Sequence, residues 1–195
     1  MKMNLKQKKQ ILFGIMLGDG NLQTYTGGKT WRIRFLQGHE NKDYLFSLYS
    51  IFKEYVSTPP KRSWLKSGHS RWSFNTTVQP LALEFSKMFY CKNRKIVPSK
   101  ENLDKYLTPL ALAFWFMDDG SLKSNCWSYY LCTDNFRLDE LKIIRLVFKE
   151  KYDIGITFHK QRLNYRIYIP RSEAEKFYNL IEKYIYISMR YKLNH

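Results

Sequence analysis

No apolar stretch in this 195-residue sequence is long enough to cross a bilayer. The longest, Ile11 to Leu17 and Leu110 to Met117, fall far short of the roughly 20 residues a spanning helix requires. A transmembrane helix is therefore excluded, and no membrane partner is expected. The start, with Lys2, Lys6, Lys8 and Lys9 before an apolar run, imitates a secretory signal, but Gly18-Asp19-Gly20 stands where small residues suited to cleavage are needed. Cysteine is scarce: Cys91, Cys126 and Cys132 are an odd number without paired CxxC spacing, which excludes a disulfide framework and a zinc site and predicts core or incidental thiols in a reducing compartment. His39, His69, His159 and His195 lack metal-ligand spacing and are expected to be structural or exposed. Acidic residues are few, 17 against 33 Lys plus Arg, leaving a formal charge of +16. Charge alone would suit any basic soluble protein or an anionic membrane surface, but self-repulsion on that scale is usually tolerated for a polyanionic partner, and nucleic acid leads.

With 44% hydrophobic residues the chain can bury a core, as one domain or two closely packed halves. An internal repeat favours two halves. An apolar segment ending in Asp-Gly runs from Leu12 to Gly20 and recurs from Leu112 to Gly120, one hundred residues on. Each copy precedes a β-rich region and then an amphipathic helix. The first helix, Asp43 to Val56, carries Leu45, Leu48, Phe52 and Tyr55 at helical spacing. The second, Arg137 to Tyr152, carries Leu138, Leu141, Ile144 and Phe148.

Strand candidates alternate: Trp31, Ile33 and Phe35 oppose Arg32 and Arg34, Trp72 and Phe74 oppose Arg71, Ser73 and Asn75, and Tyr165, Ile167 and Ile169 oppose Arg166 and Tyr168. Closing helices are expected near Gln79 to Tyr90 and Ser172 to Tyr186. A connector, Cys91 to Leu107, leads to Thr108-Pro109, an N-cap followed by proline at the first helical position. No low-complexity tract or long linker intervenes, so the halves, 1–97 and 98–195, are expected to share an interface.

A carboxylate at the C-terminal end of an apolar helix adds to the negative end of the macrodipole and calls for positive compensation. Two such ends brought together would surround a small space with carboxylates and backbone carbonyls, a hard-oxygen setting suited to Mg²⁺. Asp-Gly is also a common turn signal, but two copies at equivalent positions of a strongly basic chain weaken that reading of Asp19 and Asp119.

Both segments resemble the LAGLIDADG motif, and nearly the whole chain is similar to the monomeric, two-motif homing endonucleases encoded by introns. The run from Leu107-Thr108-Pro109 through Trp115-Phe116-Met117-Asp118-Asp119-Gly120 is the most specific part. The resemblance implies an α+β fold of duplicated αββαββα halves related by a pseudo-two-fold axis, with central motif helices and saddle-shaped antiparallel sheets astride the major groove of double-stranded DNA. It implies divalent metal, Mg²⁺ with Mn²⁺ as a substitute, on Asp19 and Asp119, with the carbonyls of Gly18 and Asp118 as further ligands. Lys95 and Lys192 correspond to basic residues near the active sites of similar enzymes; a solvated lysine is the ordinary alternative. One departure stands out: Gly14 and Gly18 form a small face in the first motif, where the second has Phe114 and Asp118. An aromatic ring is expected to fill the space left by Gly14. The Asp118 carboxylate is open between a place beside the metal and a solvated or hydrogen-bonded one.

Hydrolysis of a phosphodiester by closely spaced metals needs few side chains, in keeping with the absence of an obvious histidine base. Lys95 and Lys192 would support transition-state charge or order water. Arg32, Arg34, Arg71, Asn75 and Arg166 are candidate groove-reading residues, because arginine and asparagine address guanine and adenine edges bidentately, though each could instead contact phosphate. Trp31, Trp72 and Tyr165, opposite them, are expected in the core. The competing readings are an intron RNA maturase and a cleavage-inactive DNA-binding regulator. Retention of both aspartates favours the endonuclease, since a pure binder has no need of acids that repel phosphate. A monomer is expected, and the richness in Lys, Asn, Ile and Tyr suits an organellar gene, mitochondrial or chloroplast, with the cytoplasm as the alternative.

Overall fold

A computed structural model describes residues 3–92, 94–123 and 126–193; Lys2, Asn93 and His195 lie outside the described residues. The chain opens on helix α1 (Leu5–Leu17), started by a capping box in which Asn4 accepts from the Gln7 N–H at 2.9 Å and Gln7 accepts from the Asn4 N–H at 3.1 Å. Ile11 to Leu17 are buried on every side, which places this helix at the centre of the molecule rather than on its surface. Strands β1 (Asn21–Gln23) and β2 (Arg32–Gly38), helix α2 (Lys42–Phe52), strands β3 (Lys61–Trp64) and β4 (Ser70–Asn75) and helix α3 (Pro80–Phe89) complete the first half.

The second half repeats the order: α5 (Pro109–Asp119), β7 (Gly120–Leu122), β8 (Tyr129–Leu131), α6 (Leu138–Tyr152), β9 (Thr157–Gln161), β10 (Asn164–Ile169) and α7 (Arg171–Ile181). Thr108 caps α5 by accepting from the Ala111 N–H, and Pro109 occupies its first turn. The two antiparallel sheets have matching strand orders, β1-β2-β4-β3 and β7-β8-β10-β9. This is the αββαββα duplication expected of the sequence, and each sheet buries the predicted set: Ile33, Phe35 and Phe74 in one, Ile167 and Ile169 in the other.

The connector is more structured than its sequence suggests. Between the halves lie a short hairpin of β5 (Tyr90–Cys91) and β6 (Arg94–Lys95) and a helix, α4 (Lys100–Tyr106), whose Leu103 is fully buried. Arg94 forms a bidentate pair with Glu140 of the other half, at 2.8 and 3.0 Å. None of the three cysteines is in the core: Cys91 is exposed, and Cys126 and Cys132 are half-buried.

Helices α1 and α5 pack directly on each other, and glycine sets how closely. A β-carbon added at Gly14 would fall 2.0 Å from the Ala111 carbonyl oxygen, and one at Gly18 would fall 2.6 Å from the Asp118 β-carbon. The expectation that an aromatic ring fills the space beside Gly14 is therefore corrected: the Ala111 backbone fills it. Phe114 points instead to Tyr44 and Tyr186, with ring centroids 6.3 and 5.9 Å away. A bulky side chain could not enter a gap already closed by two backbones in contact.

Candidate metal centre and nucleic-acid interface

The close packing of α1 and α5 brings the two Asp-Gly ends together at one edge of the helix pair. Neither helix has a basic residue in its last turn, so the negative ends of both macrodipoles, each carrying a carboxylate, are compensated from elsewhere in the chain. Lys95, on β6, donates from Nζ to the carbonyls of Gly18 and Gly20, at 2.7 and 3.0 Å. Lys192, in the final 3-10 turn Ile187–Lys192, donates to those of Met117 and Asp118, at 2.6 and 2.9 Å. The two lysines predicted to serve the site thus cap the motif helices in matching ways. Burial lowers the pKa of both, that of Lys95 to about 8, and the neighbouring aspartates oppose that fall.

The carboxylates are not equivalent. Asp19 is exposed and accepts from Gln37 Nε2 at 3.3 Å, while Asp119 is half-buried. Burial, and then the charge of Asp19, pushes the Asp119 pKa up to about 7. Asp118 is the most enclosed: its Oδ1 accepts from the same Gln37 amide at 3.2 Å, and its Oδ2 is buried without a hydrogen bond. Burial, with Asp19 and Asp119 nearby, raises its pKa well above the usual range, so the solvated alternative for this side chain does not hold. The Tyr44 hydroxyl is also buried and unpartnered. It feels the charge of Asp118, but the geometry between them falls short of a hydrogen bond.

Neither lysine forms an ion pair with the three crowded carboxyl groups, although both lie within reach of their charge. The lysines direct their hydrogen bonds to backbone carbonyls, and each of those carbonyls keeps a second lone pair. Among the described residues no group of three or more His, Cys, Asp or Glu side chains could hold a metal by itself. The donors present, one carboxylate and one carbonyl from each helix end, fit a hard divalent ion that takes its remaining ligands from a substrate phosphate and water.

The two sheets carry their polar faces away from the helices. Register pairs Arg34 with Asn75 and Gly38 with Arg71, so Arg32, Arg34, Arg71 and Asn75 share one face of the first sheet. Arg32 bonds the Gln23 amide oxygen and the Tyr25 hydroxyl, at 3.1 and 2.7 Å. Arg71 lies 3.4 Å from Ser63 Oγ, and Asn75 Oδ1 is buried without a partner. On the second sheet Arg166 is already engaged, with Nη2 and Nε at 2.7 and 3.1 Å from the Asp134 carboxylate. Trp31, Trp72 and Tyr165 pack half-buried against the core, as their alternation predicts.

Comparison with known proteins gives concordant results. The profile described as the LAGLIDADG DNA endonuclease family matches residues 9–177. The chain belongs to the LAGLIDADG DNA endonuclease family. DNA endonuclease I-ChuI of Chlamydomonas applanata is 35% identical, over 97% of this chain and 95% of its own length. Cytochrome b mRNA maturase bI2 of Debaryomyces hansenii is 31% identical, over 96% of this chain and 74% of its own. The solved structure of the homing endonuclease I-WcaI bound to its DNA recognition sequence is 28% identical and superposes with a TM-score of 0.88, over 97% of this chain and 86% of that one. The single chain with two motif halves is the two-motif form of these LAGLIDADG proteins.

Sequence reasoning missed two residues at the centre. Gln37 is the one polar member of the core-facing series Ile33, Phe35, Gln37 on β2, a break in pattern that could have identified it. Tyr44, fully buried on α2, gave no such signal, since a tyrosine on an amphipathic helix is ordinary core material.

Proposed function

We propose that this protein is a site-specific homing endonuclease that hydrolyses a phosphodiester bond in each strand of a long duplex DNA target, with Mg²⁺ held by the carboxylates of Asp19 and Asp119 and the carbonyls of Gly18 and Asp118. Bound divalent metal would supply a nucleophilic water and neutralise charge on the phosphate and the leaving oxygen. The protein's own groups orient and compensate. Gln37 holds the Asp19 carboxylate from the side, and Lys95 and Lys192 fix the last carbonyls of the motif helices while placing positive charge beside the phosphate. The division of labour falls to residues 1–97 and 98–195, and because the motif interface is used internally, the working form is a monomer. An organellar setting is proposed from the residue composition; no helix among the described residues is long and apolar enough to cross a membrane.

The observation that carries this reading is the meeting of two carboxylate-bearing helix ends, each capped by a lysine from the end of its own half. Its test is cleavage in Mg²⁺ beside binding in Ca²⁺. Asp19→Asn and Asp119→Asn should each abolish double-strand cutting and leave duplex binding intact. Normal cutting by either variant would remove that aspartate from the site. A second reading, assistance to intron RNA splicing, is favoured by the likeness to a maturase over nearly the whole chain; a parent protein that binds DNA but cuts it under no divalent metal would favour it.

A further inference from the structure

The outward face of the second sheet carries different chemistry from that of the first. Its core side is set by Leu131, Ile167 and Ile169, all fully buried, so the alternate residues of β8, β9 and β10 face the other way. There, register sets Tyr168 beside Tyr130 and beside Thr157, and Arg166 beside His159. Three of these side chains form one unit: the His159 ring stacks on Tyr168 with centroids 4.1 Å apart at 23°, the Tyr130 and Tyr168 centroids are 5.0 Å apart, and the Tyr130 hydroxyl lies 2.9 Å from His159 Nδ1. The unit borders a depression of about 250 Å³ lined also by Ser121, Gln161 and Arg166. Ser121 is two residues from Asp119, which ties this face to the proposed metal centre.

Two features of this cluster exceed what sheet stability asks. With the Tyr130 O–H, the stronger donor of the pair, donating to Nδ1, the ring carries a proton on Nε2, a donor with no partner among the described residues. The one arginine on the face, Arg166, is held in a two-point pair by Asp134, which leaves its fork without the free geometry needed to grip a guanine.

The geometry points to the Tyr130–His159–Tyr168 cluster as the base-reading element of the C-terminal half, with His159 Nε2 donating to the N7 acceptor of a purine in the major groove. This rests on the endonuclease reading above. N7 stands at the groove edge of both adenine and guanine, so one donor selects purine over pyrimidine without separating the two purines. The tyrosines hold the ring in a single orientation, which reduces the side-chain entropy lost on binding.

The test compares the parent with His159→Ala and His159→Gln, first selecting preferred sequences from duplexes randomised in either half-site, in Ca²⁺, and then scanning the C-terminal half-site with 7-deazapurines. The parent should lose about tenfold in affinity at one deaza position, the weight of one hydrogen bond. His159→Ala should bind the native site about tenfold more weakly and be indifferent to that deaza substitution, with the N-terminal half-site preference unchanged. His159→Gln, which restores a donor, should recover part of the loss. A His159→Ala protein that keeps the parent's purine preference, or still pays the deaza penalty, would overturn the assignment, as would a variant that only melts at a lower temperature. A parent that binds no duplex from either library would sink the endonuclease reading and this one together, whereas normal parent binding with an unchanged variant would sink this one alone.

Discussion

The two halves share a fold and a strand order but differ in what they present on either side of the motif helices. The first sheet offers three arginines and an asparagine, and no Asp or Glu occurs anywhere in residues 55–83, which include both strands of its outer hairpin. The second offers two tyrosines and a histidine, with its single arginine neutralised by Asp134. At the centre the contrast runs the same way: Asp19 is exposed and touched by a neutral amide, Asp119 half-buried and electrostatically stressed. The lesson is that duplication conserves what builds the helix pair and its lysine caps, while the surfaces around it are free to diverge.

The largest expected effects concern the helix pair. Because α1 contributes absence and α5 contributes bulk, the halves should fail in opposite ways. Phe114→Ala, emptying a buried site between Tyr44 and Tyr186, should cost about 3–5 kcal/mol in denaturant unfolding. Gly14→Ala, forcing a methyl group against the Ala111 carbonyl, should cost about 1–3 kcal/mol. A neutral Gly14→Ala would show that the helices can part without loss. Next come the lysines: Lys95→Met and Lys192→Met should each slow cleavage about 10²-fold, with nicked DNA accumulating as the two strands fall out of step. Equal slowing of both strands by each variant would mean that the caps serve one shared centre rather than two.

A smaller effect separates the two aspartates by pH. The folded-state pKa of Asp119 is raised, so its contribution to the metal-free fold is full below about pH 4 and is lost as pH rises through about 7. Asp119→Asn should therefore raise the melting temperature of the metal-free protein at pH 8, on the order of 5 °C, and leave it nearly unchanged at pH 4. In the parent, divalent metal should bind more tightly as pH rises through 7 and should displace a proton below it, which calorimetry in buffers of different ionisation enthalpy would detect. The smallest effect belongs to the sheet: Arg32→Ala and Arg34→Ala should each weaken binding about tenfold, flatten its salt dependence by about one ion, and relax preference in the N-terminal half-site alone.

How much of this was legible in the sequence depends on the range of the interaction. The duplication, the alternating strands and the Thr108-Pro109 helix start are written in spacings of a few residues, and the structure follows them. Helix α4 and the β5–β6 hairpin are shorter than the windows in which periodicity accumulates. The seating of Gly14 on Ala111 is set by where two helices cross, which neither helix's own spacing contains. Gln37 is brought to both Asp19 and Asp118 by a strand from outside the motif. The Tyr130, His159 and Tyr168 cluster carries no arginine or asparagine, and its three rings meet only through the pairing of separate strands, which local spacing does not contain.

Joining both halves in one polypeptide has a further consequence. Two identical subunits about a two-fold axis would oblige each sheet to meet the same bases, so that any sequence they recognised would have to read alike from both ends. Here the hairpin of β5 and β6 and helix α4 replace that axis with a covalent tether, and each sheet can acquire its own vocabulary. A substitution on one face should then alter recognition at one end of the DNA only. The chain can follow a drifting, asymmetric sequence one base pair at a time, without the paired, simultaneous changes that a palindrome would demand.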